Sequence, residues 1–327
     1  MLFFGLSSVK GIVIITVMII LNLFITYPLN SDFSTDSTLQ NIIKEKDDTN
    51  KIRKLVNNSM DLYYQNPELG LKFGNLALEL SLKLNNKLFQ AISYNSIAVN
   101  HWAKSDYPES LKYYFKALNI NEELNNQKGI ADNSQNIGLV YQNKKELDKA
   151  EKYYNKAFKI YSELNNKAGM AINLGNLGNL YLAKGDYLKA LESHEQALKI
   201  DTELDRKADI SADLTNIGIV LNAIRDYHSA YSYFSDALEI DTELDNFRGL
   251  ASGYGNLGMI LLQAVKDTTM VIINNQFISA NKRENLTRSI DFLNKSLFYI
   301  DKIGDINFKQ LVYAGLSDAY ELISEYQ

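Results

Sequence analysis

The chain has 327 residues, of which 46% are hydrophobic, 3 are proline and none is cysteine, with a formal net charge of -5. That much apolar content excludes global disorder. The missing thiols exclude disulfides, thiolate metal sites and cysteine nucleophiles, and the acidic balance leaves no basic footprint for nucleic acid.

The first predicted element is apolar. Residues 11–29 read GIVIITVMIILNLFITYPL without a charge, after Lys10 and before Asp32 and Asp36. A stretch of that length can cross a bilayer as a helix, and the flanking charges put the N-terminus inside and the remaining chain outside. Residues 1–29 are therefore expected to be a signal anchor or a cleaved signal peptide. No A-x-A-like cleavage site follows the run. Residues 30–48, rich in Ser, Thr and Asp, read as a polar linker.

From residue 49 to 327 the chain repeats itself. Asn136-Ile137-Gly138, Asn176-Leu177-Gly178, Asn216-Ile217-Gly218 and Asn256-Leu257-Gly258 recur every 40 residues, with Ser96-Ile97-Ala98 as a worn copy. Ala77-Leu78, Ala117-Leu118, Ala157-Phe158, Ala197-Leu198 and Ala237-Leu238 step by the same 40. Each unit holds two apolar patterns of helical spacing around a turn such as Lys184-Gly185-Asp186, where Gly ends one helix and Asp caps the next. One helix pair cannot bury its apolar face alone, so the stacked array is the folding unit.

These residues resemble the tetratricopeptide repeat family. Gly138, Tyr141, Ala150, Tyr154 and Ala157 fit its pattern of small and aromatic positions throughout. Gly178, Tyr181, Ala190 and Ala197 fit with His194 in the aromatic slot, and Gly218, Ala230, Phe234 and Ala237 fit with Leu221 in place of Tyr. The family's early Trp is absent, and the 40-residue period is similar to the long-repeat branch of kinesin light chains and bacterial sensor and regulatory proteins. The resemblance implies an all-α, right-handed superhelical solenoid of antiparallel helix pairs, behind the one N-terminal apolar helix.

Two irregularities break the register. Ser296-Leu297 fills the Ala-Leu slot late, which marks an insertion at about residues 266–284. It is expected to be a surface excursion, or else an element that covers a ligand or joins two copies. Near the end, Gly315-Leu316-Ser317 and Tyr320 align with Asn176-Leu177-Gly178 and Tyr181, so the last helix either caps the array or belongs to a longer one.

No catalytic constellation emerges, and no enzyme, cofactor or metal is expected. There are 3 histidines, with His101 and His194 in aromatic slots of the repeat and His228 beside exposed positions, and no HExxH or P-loop occurs. Sequons stand at Asn57, Asn285 and Asn294. The candidate binding residues are the ladder Asn136, Asn176, Asn216 and Asn256, with Asn143 and Asn179 beside it. In the family the first helices line a concave groove, and an amide there can hold an extended peptide because it donates and accepts at once. The alternative is that these amides bond neighbouring helices and keep register. No Lys or Arg stands one helical turn earlier, where Asp132, Ile172, Ala212 and Ser252 are found. The expected function is a non-catalytic scaffold, extracytoplasmic and membrane-anchored or secreted, that takes a protein or peptide partner and no nucleic acid. The alternative is the sensory input region of a bacterial signalling protein, a histidine kinase or a transcription regulator.

Overall fold

The computed structural model describes residues 35–267 and 277–325, with side chains from Thr38 onward. The apolar run 11–29 lies outside the described residues. No helix among the described residues is long and apolar enough to cross a membrane.

Fourteen helices and no strand make up the described residues. They are α1 (Thr35–Ile43), α2 (Thr49–Asp61), α3 (Pro67–Lys83), α4 (Lys87–Ala103), α5 (Tyr107–Glu123), α6 (Gln127–Asn143) and α7 (Leu147–Glu163). The remainder are α8 (Lys167–Lys184), α9 (Tyr187–Glu203), α10 (Lys207–Ala223), α11 (Tyr227–Glu243), α12 (Phe247–Lys266), α13 (Lys282–Ile303) and α14 (Ile306–Ser324). Contacts divide them into two compact units, one over Asn30–Leu180 and one that includes Tyr181–Gln327.

The turns explain the period. Positive φ falls at Asn85, Ser105, Asn125, Lys145, Asn165, Gly185, Asp205, Arg225 and Asp245, one every 20 residues. At the first of them the amide of Asn86 donates to the Ser81 carbonyl (2.9 Å) and that of Asn85 to the Leu82 carbonyl (3.0 Å). This is a left-handed C-terminal cap that satisfies the last carbonyls of α3. The next residue then starts the following helix: Asn86, Asp106, Asn126, Asp186 and Asp226 each accept from a backbone amide of the first turn. Helices of 17 residues joined by three-residue connectors give the half-period. The polar breaks at Asn125-Asn126 and Asp205-Arg206 are thus tight turns. Such short connections make sequential helices antiparallel neighbours.

In Asn30–Leu180 the repeat glycines admit rings. A Cβ on Gly138 of α6 would stand 2.7 Å from the Tyr154 ring of α7. Tyr154 is fully buried, and its hydroxyl donates to Gln142 Oε1 at 2.8 Å. Ala150 and Ala157 flank it without exposed surface. Where the pattern is worn, serine substitutes: Ser110 Oγ donates to the Ala98 carbonyl at 2.9 Å, so the small side chain also satisfies a facing backbone group.

The same unit corrects the reading of residues 30–48 as a linker, because they contain α1, whose Leu39 and Ile42 are buried with Ile52 and Leu55 of α2. Lys51 of α2 donates to the carbonyls of Ile43 (2.7 Å) and Glu45 (3.1 Å) and to Asp47 Oδ1 (2.9 Å). It closes the C-terminal end of α1. Composition hid this helix because only two apolar residues carry its contact. Lys83 and Lys51 hold the Asp47 carboxyl down to about 2.

The unit that includes Tyr181–Gln327 repeats the rule. Gly218 of α10 admits the Phe234 ring of α11, and a Cβ there would stand 2.6 Å from it. In the α12–α13 pair, Ser289 and Ser296 take the alanine slots and donate to the carbonyls of Gly258 and Ala251, each at 2.7 Å. The insertion is partly helical: α12 has 20 residues and α13 has 22, against 17 in α10 and α11. Residues 268–276 lie outside the described residues. Both flanks of that stretch are pinned. Asp267 accepts from Tyr227 Oη (3.1 Å) and Arg225 Nη1 (3.3 Å), Phe277 stacks on Tyr231 with centroids 5.3 Å apart, and Asn285 Nδ2 donates to the Ser279 carbonyl (2.7 Å). The sequon at Asn285 is therefore a buried structural amide. On α14, Phe308, Val312, Leu316 and Ala319 face inward, while Ile306, Tyr313 and Tyr320 stand exposed.

Candidate functional site

The predicted asparagines are more buried than residues of an open groove. Asn176, Asn216 and Asn256 are buried and Asn136 and Asn143 are half-buried. Each unit presents its own pair, Asn136 with Asn176 and Asn216 with Asn256. Within the first, Asn136 Nδ2 donates to Asn95 Oδ1 at 3.2 Å. Asn179, also on α8, is buried with its Oδ1 unpartnered. Within the second, Asn216 Oδ1 and Asn256 Nδ2 have no hydrogen-bond partner among the described residues. A buried polar atom without a partner costs free energy on the order of 1–3 kcal/mol.

The structure adds residues that the sequence did not single out. Asn126 Nδ2 donates to Asn121 Oδ1 (2.8 Å), Asn121 Nδ2 to Asn133 Oδ1 (2.8 Å), and Asn133 Nδ2 to Asn95 Oδ1 (3.0 Å). Asn136 completes this amide chain, which runs from the α5–α6 turn along α6 to α4. Asn173 of α8 is buried as well, with Oδ1 unpartnered. The register could have shown them, since positions 121 and 133 recur as 201 and 213, but the residue types change from amide to acid there.

At that second occurrence Asp201 of α9 and Asp213 of α10 face each other, both buried and hydrogen-bonded together. Arg206 Nη1 lies 3.2 Å from Asp201 Oδ1 and Arg206 Nη2 lies 2.6 Å from Asp209 Oδ2. Burial, then the neighbouring charges of Asp201 and Asp209, push the Asp213 carboxyl up to about 9. One proton shared by two carboxyls does there what an amide does two repeats earlier.

The histidines fall where packing puts them. His194 is fully buried with neither ring nitrogen partnered among the described residues, and burial lowers it to about 4. It serves as a neutral plate in the aromatic slot. His101 stacks on Tyr113 at 5.5 Å with Nδ1 3.1 Å from Asp106 Oδ2. Asp132 accepts from Tyr161 Oη at 2.8 Å.

A family model for the tetratricopeptide repeat matches residues 130–203. No curated protein matches the chain. Several solved structures share its fold. Aspartyl phosphate phosphatase F from Bacillus subtilis superposes with a TM-score of 0.62 at 14% identity, covering 99% of this chain and 86% of that one. A Rap protein complexed with competence and sporulation factor gives 0.51 at 13% identity, covering 98% of both chains. The STAND protein PH0952 from Pyrococcus horikoshii, with a tetratricopeptide repeat sensor, gives 0.62 at 16% identity; the match spans 85% of this chain and 42% of that one. Residues 130–203 are tetratricopeptide repeats, and the described residues take the tetratricopeptide-type helical-repeat fold.

Proposed function

We propose that this protein is a non-catalytic scaffold that binds an extended peptide, free or within a partner protein, through the amides of its first-in-pair helices. The observation that carries this reading is that, among the described residues, Asn173 Oδ1 and Asn179 Oδ1 in one unit, and Asn216 Oδ1 and Asn256 Nδ2 in the other, are buried without a hydrogen-bond partner. Four amide atoms without partners cost the free protein stability, and a peptide backbone offers both an N–H and a C=O to each repeat. The Rap protein solved with competence and sporulation factor gives the fold a precedent for holding such a factor. Asn143 and Asn136 belong to the proposed surface of the unit over Asn30–Leu180.

Panning the full chain against a random-peptide display library tests this. The reading expects linear peptides to be enriched, and N-methylation of their backbone to abolish binding. Failure to enrich any peptide, or tolerance of N-methylation, would contradict it.

The apolar run 11–29 supports a repeat domain tethered to a membrane on its extracytoplasmic side. Alkaline phosphatase fused after residue 48 should be active and sediment with the membrane; a membrane-bound fusion without phosphatase activity would reject the orientation. A second reading, the sensory input of a signalling protein, is favoured by the PH0952 match, in which the shared fold is part of a longer chain described as carrying a repeat sensor. Reading the coding sequence beyond codon 327 separates the two. An in-frame kinase or DNA-binding module supports the sensor, and a stop supports the scaffold.

A further inference from the structure

In two repeats the first residue of the leading helix pairs with the last residue of the following one. Lys87 Nζ of α4 lies 3.2 Å from Glu123 of α5, and Lys207 Nζ of α10 lies 2.8 Å from Glu243 of α11. The α12–α13 repeat departs from this rule at every position involved. Phe247 stands where Lys87 and Lys207 stand. Ser296 holds the slot of Ala237, so Lys302 takes the place of Glu243, Tyr299 that of Ile240, and Phe298 that of Glu239. In the other repeats the Phe298 position is Asn119, Lys159 and Lys199, polar each time.

The substituted residues form a box. Lys302 Nζ sits 4.5 Å from the Phe247 centroid, 4.4 Å from that of Phe298 and 5.4 Å from that of Tyr299. Phe298 stands at 81° to Tyr299 with centroids 5.1 Å apart, and Phe247 lies 6.0 Å from Tyr299 at 33°. Phe247 is therefore tilted against Tyr299, and Phe298 stands nearly perpendicular to Tyr299. Lys302 has no carboxylate within ion-pairing distance among the described residues. Its neighbour Asp301 pairs instead with Lys309.

Stability gives no reason for this exchange. An exposed ion pair and an exposed cation–π contact contribute similar small amounts. Phe247 remains 41% and Phe298 57% exposed, so neither ring is a core residue. Rings around an ammonium are instead the arrangement that recognises alkylated cations. The lysine ammonium is strongly hydrated and rides on a flexible stem, so it can leave the box for water. A quaternary ammonium has no N–H to satisfy and loses less on desolvation.

We propose that Phe247, Phe298 and Tyr299 form a binding site for a small quaternary ammonium compound, filled in the free protein by the chain's own Lys302. This site is independent of the amide surface and does not rest on it.

Choline titrated into the full chain, followed by NMR of labelled Phe and Tyr rings, tests it, with neohexyl alcohol as the uncharged carbon isostere. Choline should shift the rings of Phe247, Phe298 and Tyr299, and Lys302→Ser should tighten binding about tenfold or more by removing the internal competitor. Neohexyl alcohol should leave them unshifted, and adding Phe247→Ala and Phe298→Ala should abolish the response. Lys302→Gln serves in its place if the serine variant melts early. The site is rejected if choline and the alcohol act alike, or if neither shifts the rings in a lysine variant that melts like wild type. It is equally rejected if only phosphatidylcholine vesicles or a trimethyllysine peptide bind and free choline does not, since those outcomes assign the box to a membrane or a modified protein.

Discussion

Asp213 of α10 faces Asp201 of α9 in the slots where, two repeats earlier, Asn133 accepts from Asn121 Nδ2 at 2.8 Å. An amide pair needs no proton to close its hydrogen bond; a carboxyl pair needs one. The folded protein therefore keeps a proton on Asp213 up to about 9, whereas the unfolded chain releases it near the ordinary Asp value of about 3.9. Between those values the native state binds more protons than the unfolded one, so stability falls as pH rises through the window and levels off above it. Thermal melts from pH 5 to 9 should show this decline. Asp213→Asn, which supplies a donor without titrating, should flatten the curve and raise stability at pH 8 by a few kcal/mol, on the order expected for a shift of several pKa units. An unchanged slope in the variant would place the pH dependence elsewhere.

The opposite sign holds for His194. Burial lowers it to about 4, so its contribution is intact above the unfolded value of about 6.5 and is lost as pH falls towards 4. His194→Phe keeps a ring in the slot and removes the titration. Its melting temperature should hold between pH 6.5 and 4.5 better than that of wild type.

The left-handed turn residues make a backbone test. Lys145 (φ 61) and Ser105 (φ 60) carry side chains where glycine is the favoured residue. Lys145→Gly and Ser105→Gly should each stabilise the protein by roughly 0.5–1 kcal/mol in urea unfolding. Asn125→Gly should change little, because asparagine tolerates this conformation. Gly185→Ala should cost about 1 kcal/mol from φ alone, since nothing lies within 4 Å of the added methyl.

Glycines inside helices separate by what they face. Gly138→Ala and Gly218→Ala push a methyl to 2.7 Å and 2.6 Å from the rings of Tyr154 and Phe234, which should cost about 1–3 kcal/mol. Gly175→Ala meets nothing within 4 Å and should gain about 1 kcal/mol of helix propensity.

The repeat, its turns and its small-aromatic contacts were legible in the sequence because each recurs every 40 residues, so one pattern is read several times over. Features that occur once were not. Helix α1 rests on Leu39, Ile42 and the Lys51 cap, too few residues to show as periodicity. The helical extensions at Lys266 and Lys282 are local lengthenings inside an irregular stretch. In the candidate site the Asn136 ladder could be read, but its degree of burial and the chain through Asn95, Asn121 and Asn133 could not. Those depend on how α4, α5 and α6 meet, and hydrogen bonding between amides leaves no spacing signature. The Phe247–Phe298–Tyr299 box stayed hidden because the insertion displaces α13 from the register that would have exposed its odd residues.

The central claim is that the unpartnered amides serve a peptide and not the fold. It is tested most directly by calorimetric titration of a selected peptide into wild type and into an Asn216→Ala, Asn256→Ala double variant, with melting curves on both. Truncation costs no hydrogen bond from Asn216 Oδ1 or Asn256 Nδ2, so melting should hold or rise while affinity drops about tenfold or more, on the order of 1.4 kcal/mol. A lower melting temperature with unchanged affinity would show that the ladder holds the helices in register and leaves the ligand to another surface.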